Sequence, residues 1–503
     1  MVSLFGWGST APEAVPGDKV LPLHFFDDTP VWRSFILYSL FVFEDVLDTD
    51  KIRHSLEELA QREGWQKLGA RLRRNVQYSP LVLPVHVLLT LAQSKGILEY
   101  HIPTEFNQDR PSIVYTHVQH DTPIADDPIA GQIPKPSARP SILGDPDQFL
   151  SLMHPEGSPK KLEDYVNSER PQLGLHTVSF KDATLVSIYW PHIMFDAMGK
   201  KALLTAWSLT LQGRQDEILP LHGADSDPLT ELGCHPTEAH KLADRQLSTL
   251  GLIRYGLNHI TEFALRGNET RIVCVPAAFM DKLREEATRD ISVDSSSDED
   301  TFLSEGDILC AWWTRIAISH LPQDSNTNVI LYNAYSLRSV LSGDLLPAGT
   351  SYLSNATGFI HTPLTVKEIN TQSLGYIASR IRQSITEYGT REQVEAFMSM
   401  VRQSQARTPP FFGDPSMHMV TYSNWAKAKM FEINFSSAIK PDSPSASADH
   451  VPGRPTYIQN CQYGLTLPNA FPIMGKDAHG NYWLSGYLNK GNWDKINEIL
   501  NNL

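Results

Sequence analysis

The run Thr184-Leu-Val-Ser-Ile-Tyr-Trp190 passes without a polar break into Pro191-His192-Ile-Met-Phe-Asp196, and helical spacing follows at once. β-Branched and aromatic residues favour a pleated strand, whereas Leu203, Leu204, Trp207 and Leu211 fall on one face of a 3.6-residue helix. A strand handing directly to a helix is an α/β unit, and here it leaves a histidine where the strand stops. Residues 174–180, joined through Lys181-Asp182-Ala183, complete a hairpin with 184–190.

The His-x-x-x-Asp spacing alone carries little, because about one chance match is expected in a chain with this histidine usage. Five occur: His24/Asp28, His117/Asp121, His192/Asp196, His240/Asp244 and His320/Asp324. Only His192 lies between a strand-like run and an amphipathic helix. A neutral imidazole held there can take a proton from a hydroxyl near neutrality, because its ordinary pKa is about 6.5. Asp196 follows a sharp turn, so the expected role is to fix that turn by pairing with a distant arginine. No Gly-x-Ser-x-Gly elbow, His-Glu-x-x-His pair, Walker loop or Gly-x-Gly-x-x-Gly occurs, which removes the usual marks of covalent hydrolases, zinc hydrolases, NTPases and dinucleotide oxidoreductases.

At 503 residues the chain exceeds one core and implies two domains. The expected division is 1–213, carrying His192, a polar crossover linker at 214–255, and 256–503. Within the first part, Phe35-Ile-Leu-Tyr-Ser-Leu-Phe-Val-Phe43 reads as a buried strand, and Asp48-Thr-Asp50 caps a helix whose Ile52, Leu56, Leu59 and Ala60 share a face. Residues 102–148 read as irregular loops with one short strand. The second part restarts with a strand at 270–276 and a helix at 277–288. Helices follow at 366–388 and 391–404, then strands at 417–423, 430–435 and 481–487. The acidic stretch at 293–301 and residues 440–455 read as solvated insertions.

With 43 basic against 57 acidic residues the formal charge is −14, which disfavours a general nucleic-acid or anionic-membrane binder. The four cysteines lie far apart, without zinc spacing, and no metal is expected; Cys234-His235 with His240 is the weak exception. No apolar run is long enough to span a bilayer, and the expected setting is cytoplasmic.

Five elements in order carry a resemblance: His192-Ile-Met-Phe-Asp196, Asp307-Ile-Leu-Cys-Ala-Trp-Trp313, Ser336-Leu-Arg338, Tyr352-Leu-Ser-Asn355-Ala356, and Ser423-Asn-Trp425 followed by Asn434-Phe-Ser-Ser-Ala438. In order and spacing they resemble the BAHD-type acyl-CoA-dependent acyltransferases, and with Gly64-Trp-Gln-Lys-Leu-Gly-Ala-Arg71 the fungal branch that includes trichothecene 3-O-acetyltransferases. The resemblance implies two chloramphenicol-acetyltransferase-like α/β domains around a solvent channel, a monomer, and acetyl-CoA or another acyl-CoA as co-substrate. It implies a natural-product alcohol as acceptor and His192 as general base. It makes Ser423 and Trp425 the oxyanion donors, through a hydroxyl and an indole N–H, and sets Arg284 and Ser304, with Lys282 as alternate, near the cofactor. Two departures stand out. Ala197 replaces the glycine after the aspartate, and the family's Asp-Phe-Gly-Trp-Gly reads Asn434-Phe-Ser-Ser-Ala, so Asn434 is expected to face Arg338 through an uncharged amide. N-acylation, a carrier-protein donor, condensation or cyclisation on the same fold, and a non-catalytic scaffold remain the alternatives.

Overall fold

A computed structural model describes residues 12–75, 96–260, 262, 267–294, 302–444 and 450–503. The acidic stretch from 295 to 301 and residues 445–449 of the second insertion lie outside them. The chain is α/β, with two large sheets and a small one.

The first sheet runs Tyr457–Gly464, Phe35–Phe43, Thr184–Pro191, Gly174–Ser179, Val114–Gln119 from edge to edge. Its strands Gly174–Ser179 and Thr184–Pro191 are buried throughout and mostly apolar or small, as suits strands covered on both faces. The helices Thr49–Gln61 and Ala197–Leu211 pack together beside it. Asp48 caps the first by accepting from Lys51 N, and Ile52, Leu56, Leu59 and Ala60 are all buried, as the spacing requires.

The second sheet has seven strands in the order Thr357–Thr365, Asn328–Ser336, His418–Asn424, Ala470–Lys476, Tyr482–Asn489, Asn268–Val275, Ser141–Gly144. The helices Ala277–Asp294, Glu305–Ala317 and Leu374–Tyr388 pack against one another beside it. Each sheet holds a strand from the other half of the chain. Ser141–Gly144 pairs with Asn268–Val275, and Tyr457–Gly464 pairs with Phe35–Phe43. The core behind the first sheet accordingly includes Ile272, Cys274, Met474 and Trp483.

Several expectations change. Residues 102–148 supply two strands, Val114–Gln119 and Ser141–Gly144. The helix expected over 366–388 is two, Val366–Thr371 and Leu374–Tyr388, because Ser373 caps a new start by accepting from Tyr376 N. The strand expected at 430–435 is absent; Lys429 turns at φ +52°, and a 3-10 turn, Met430–Glu432, follows. The apolar residues there fill a gap instead, with Phe435 stacked on Phe43 and edge-on to Trp207. The 214–255 connection also contains the start of a helix, Thr249–Asn258.

Candidate active site

The strand Thr184–Pro191 ends one residue before His192, whose N–H donates to Phe35 O at 3.0 Å and so extends the ladder by one step. The turn beyond is closed by Met194 N donating to Pro191 O. Asp196 then caps the helix Ala197–Leu211, accepting from Met198 N at 3.0 Å and Gly199 N at 2.9 Å. Gly199 is required in this place, because a Cβ would lie 2.0 Å from Leu353 O.

The imidazole of His192 is half-buried and stacked on Trp32, with ring centroids 4.3 Å apart. Its Nδ1 is buried without a hydrogen-bond partner. Burial lowers the pKa below the ordinary value of 6.5. The residue's own carbonyl, Asp196 and Asn355 oppose that shift, while Lys200 adds to it. The neutral, proton-accepting form therefore prevails at neutral pH. Asn355 Nδ2 donates to His192 O at 3.0 Å and to Asp27 Oδ1 at 2.8 Å, which ties the turn to a buried carboxyl.

Asp196 makes no hydrogen bond to His192. Besides the two helix amides, its carboxylate accepts both arms of Arg338 at 2.9 Å, Ala356 N at 2.9 Å and Thr357 Oγ1 at 2.9 Å. Burial raises its pKa, but the charge and hydrogen bonds of Arg338, with the amides of Ala356 and Gly199, outweigh it and hold the carboxyl below the usual value. Arg338 also donates to Tyr352 O and Ser354 O.

Asn434 is corrected by this arrangement. It is exposed, its side-chain oxygen accepts from Ser436 N at 2.9 Å, and its carbonyl accepts from Gln212 Nε2. Asp196 already fills the guanidinium that Asn434 was expected to face, so the lost carboxylate at 434 takes no charge from the Arg338 pair.

Ser423 and Trp425 lie at and just beyond the end of the strand His418–Asn424. The indole N–H donates to Ser423 Oγ at 2.8 Å. Of the two expected donors, the indole is therefore committed inside the pair, while the Ser423 hydroxyl hydrogen meets no protein acceptor among the described residues. Lys200 Nζ sits 4.7 Å over the Trp425 ring and donates to Ser39 Oγ at 2.8 Å and Asn460 Oδ1 at 2.9 Å. It is 1% exposed, without a carboxylate partner among the described residues, and burial alone pushes its pKa down to about 7. Sequence reasoning passed over Lys200, although it shares the inward helical face of Leu203, Leu204, Trp207 and Leu211, where a lysine is out of pattern.

The expected cofactor residues are dispersed. Lys282 and Arg284 are exposed on the helix Ala277–Asp294, with Arg284 paired to Asp281 at 3.2 Å. Ser304 caps Glu305–Ala317 in a reciprocal box with Asp307, and its hydroxyl also accepts from Arg382 at 2.9 Å. Lys476 Nζ donates to Glu305 at 2.7 Å on the same first turn; burial raises the Glu305 pKa, but the hydrogen bonds of Lys476 and Tyr482 and the charges of Lys476 and Arg284 lower it overall. The structure thus gathers Arg284, Arg382 and Lys476 around one helix N-terminus, each already paired with a carboxylate, Asp281, Asp307 and Glu305 in turn. Arg382 and Lys476 had no local signal, since they come from a helix and a strand distant in sequence. Among the described residues no group of three or more His, Cys, Asp or Glu could hold a metal. None of the helices there is long and apolar enough to cross a membrane.

Residues 143–456 match the Transferase family. The chain is 40% identical to transcriptional regulator calD of Penicillium decumbens, with 99% of both chains covered. It is 36% identical to acetyltransferase adrJ of Penicillium roqueforti, over 98% of this chain and 97% of that one. Among solved structures it resembles F. sporotrichioides TRI101 complexed with coenzyme A and T-2, at TM-score 0.64 and 16% identity over 95% and 97% of the two chains. Vinorine synthase shares the fold at TM-score 0.57 and 11% identity, over 98% of this chain and 95% of that one. The chain belongs to the Transferase family, the BAHD-type acyltransferases.

Proposed function

We propose that this acyltransferase moves an acetyl or other short acyl group from acyl-CoA to a hydroxyl of a hydrophobic secondary metabolite, with His192 as general base. One observation carries the reading: a half-buried imidazole at the end of its strand, stacked on Trp32, which itself lines a narrow gap with Phe26, Val31, Phe359, Met398 and Val401. An acceptor hydroxyl brought to His192 loses its proton to the imidazole as its oxygen attacks the thioester carbonyl. The C–O bond forms, the Ser423 hydroxyl donates to the tetrahedral oxyanion, and the C–S bond breaks. His192 returns its proton to the departing thiolate. Trp425 positions Ser423, and Asp196 with Arg338 holds the turn. Arg284, with Lys282 alternate and Lys476 nearby, meets phosphate groups of the co-substrate, while Ser304 holds the helix end they face.

Relatives named acetyltransferase adrJ, acetyltransferase sphE and O-acyltransferase ausP support acyl transfer. Two relatives are named transcriptional regulators, but the excess of acid over base disfavours direct nucleic-acid contact. We place the enzyme in the cytoplasm as a monomer of two acyltransferase domains.

The test is incubation with acetyl-CoA and a panel of hydroxylated terpenoids and polyketides, following free thiol and product mass for wild type and His192→Ala. Histidine-dependent gain of one acetyl unit with matching thiol release supports the reading. Absence of CoA turnover and of any rise in melting temperature with acetyl-CoA would shift it to a carrier-protein donor or a non-catalytic scaffold.

A further inference from the structure

The strands Asn328–Ser336 and Thr357–Thr365 are antiparallel, and their opposed pairs Ser336/Thr357, Ala334/Phe359, Tyr332/His361 and Ile330/Pro363 put one set of side chains on one face. Thr357, which bonds Asp196, and Phe359 line the cleft beside Trp32. Farther along the same face, His361 and Pro363 line a second cavity of about 360 Å³, together with Asn328, Arg245, Phe412 and Asp414. At roughly 3.3 Å per strand residue, His361 stands about 13 Å beyond Thr357.

His361 is 1% exposed, yet both Nδ1 and Nε2 lack hydrogen-bond partners. Its ring is wedged edge-on against Tyr332 at 4.1 Å and Phe412 at 4.8 Å. Leaving such polar atoms unpaired is costly, and both are closed to the cavity as the ring stands, so a rotation that brings one of them to the lumen gains a partner from whatever enters. Burial drives its pKa well below the ordinary value, so the ring is neutral, with one nitrogen donating and the other accepting. Arg245 and Asp414 supply opposite charges to the same cavity, and Asp414 already accepts from Asn328 and Ser416. The lining therefore favours a neutral polar group over an ion.

We propose that this cavity is a distal acceptor subsite in which His361 hydrogen-bonds a neutral carbonyl or hydroxyl at the end of the molecule remote from the acylated oxygen. The inference rests on the reading of His192 as base. It makes the preferred acceptor an elongated apolar body with a polar group at each end.

Two rigid isosteric probes test it: 4-(hydroxymethyl)biphenyl bearing a 4′-acetyl group, and the same rod with 4′-isopropenyl. Dissociation constants from calorimetry and acetyl transfer from acetyl-CoA are measured for wild type, His361→Phe and His361→Gln. Wild type is expected to bind the acetyl rod at least about tenfold more tightly, as for a site built around a hydrogen bond. His361→Phe should erase that preference, and His361→Gln, which keeps a donor and an acceptor, should restore part of it. Equal binding of the two rods by wild type, binding of neither, or a preference that survives His361→Phe would overturn the subsite. Discriminating binding without transfer would leave the subsite standing and count against His192 as base.

Discussion

Replacing Asp196 by Asn is the sharpest test of why the His192 turn holds its shape. The carboxylate accepts from Met198 N, Gly199 N, Ala356 N, Thr357 Oγ1 and two arms of Arg338. An amide keeps one oxygen, places an NH₂ against donors, and leaves the Arg338 guanidinium, 18% exposed, without its counter-charge. Breaking a buried pair from one side costs about 3–5 kcal/mol. The Asp196 pKa is depressed in the fold, so this stabilisation is fully present above the ordinary carboxyl value of 3.8 and fades as pH falls through the lower folded value. The wild-type to mutant difference should accordingly be constant from pH 5 to 8 and shrink only in stronger acid, by roughly the linkage relation. Urea unfolding followed by circular dichroism, at several pH values, measures it. The double variant Asp196→Asn/Arg338→Met should recover part of the loss, because the stranded charge is gone. A single-mutant cost under about 1 kcal/mol, or a double variant no more stable than the single, would refute the argument that the pair dominates the turn.

Four other outcomes follow from the same geometry. His192→Ala should reduce transfer by about 10²–10⁴-fold with wild-type circular dichroism, and the wild-type acid limb of kcat/KM should lie below pH 6.5 because the imidazole pKa is depressed. Lys200→Met should move that limb to higher pH, since the Lys200 charge is one cause lowering the His192 pKa; an unshifted profile would separate the two groups. The buried Lys200, with its pKa near 7, makes wild-type stability rise with pH between about 7 and 10.5, where the unfolded chain binds the extra proton; that slope should flatten in Lys200→Met. Ser423→Ala should lower kcat about 10²-fold or more with little change in KM, and Trp425→Phe should do so less, because the indole only orients the hydroxyl.

What could be read along the chain was local. The strand Phe35–Phe43, the hairpin before His192 and the helix after Asp48 each follow from periodicity and caps within a dozen residues. The strands Tyr457–Gly464 and Ser141–Gly144 escaped because their partners lie in the opposite half of the chain, and pairing partners leave no short-range trace. The apolar run after Lys429 misled for a related reason: Met430, Phe431 and Phe435 are buried in the first core, Phe435 against Phe43 and Trp207, where packing overrides strand propensity.

The candidate site divides in the same way. Position alone isolated His192, since a strand end followed by a capped helix is visible in sequence, and the partner of Asp196 was rightly sought in a distant arginine. The choice of Asn434 to face Arg338 failed because Asp196 takes that guanidinium with both oxygens. Asp196, lying at a helix N-terminus with two free amides already fixing it, presents both oxygens in the plane Arg338 needs. An exposed turn at Asn434 supplies no such orientation. The arginine then also ties Tyr352 O and Ser354 O, so the segment that carries Asn355 to the His192 carbonyl is set by the same ion pair. Loss of Asp196 should therefore reach His192 through Asn355 as well as through the helix cap. Asn355→Ala, which leaves Arg338 and Asp196 intact, should lower kcat with a smaller stability cost than Asp196→Asn in the same urea assay; equal costs would mean that the two ties are one.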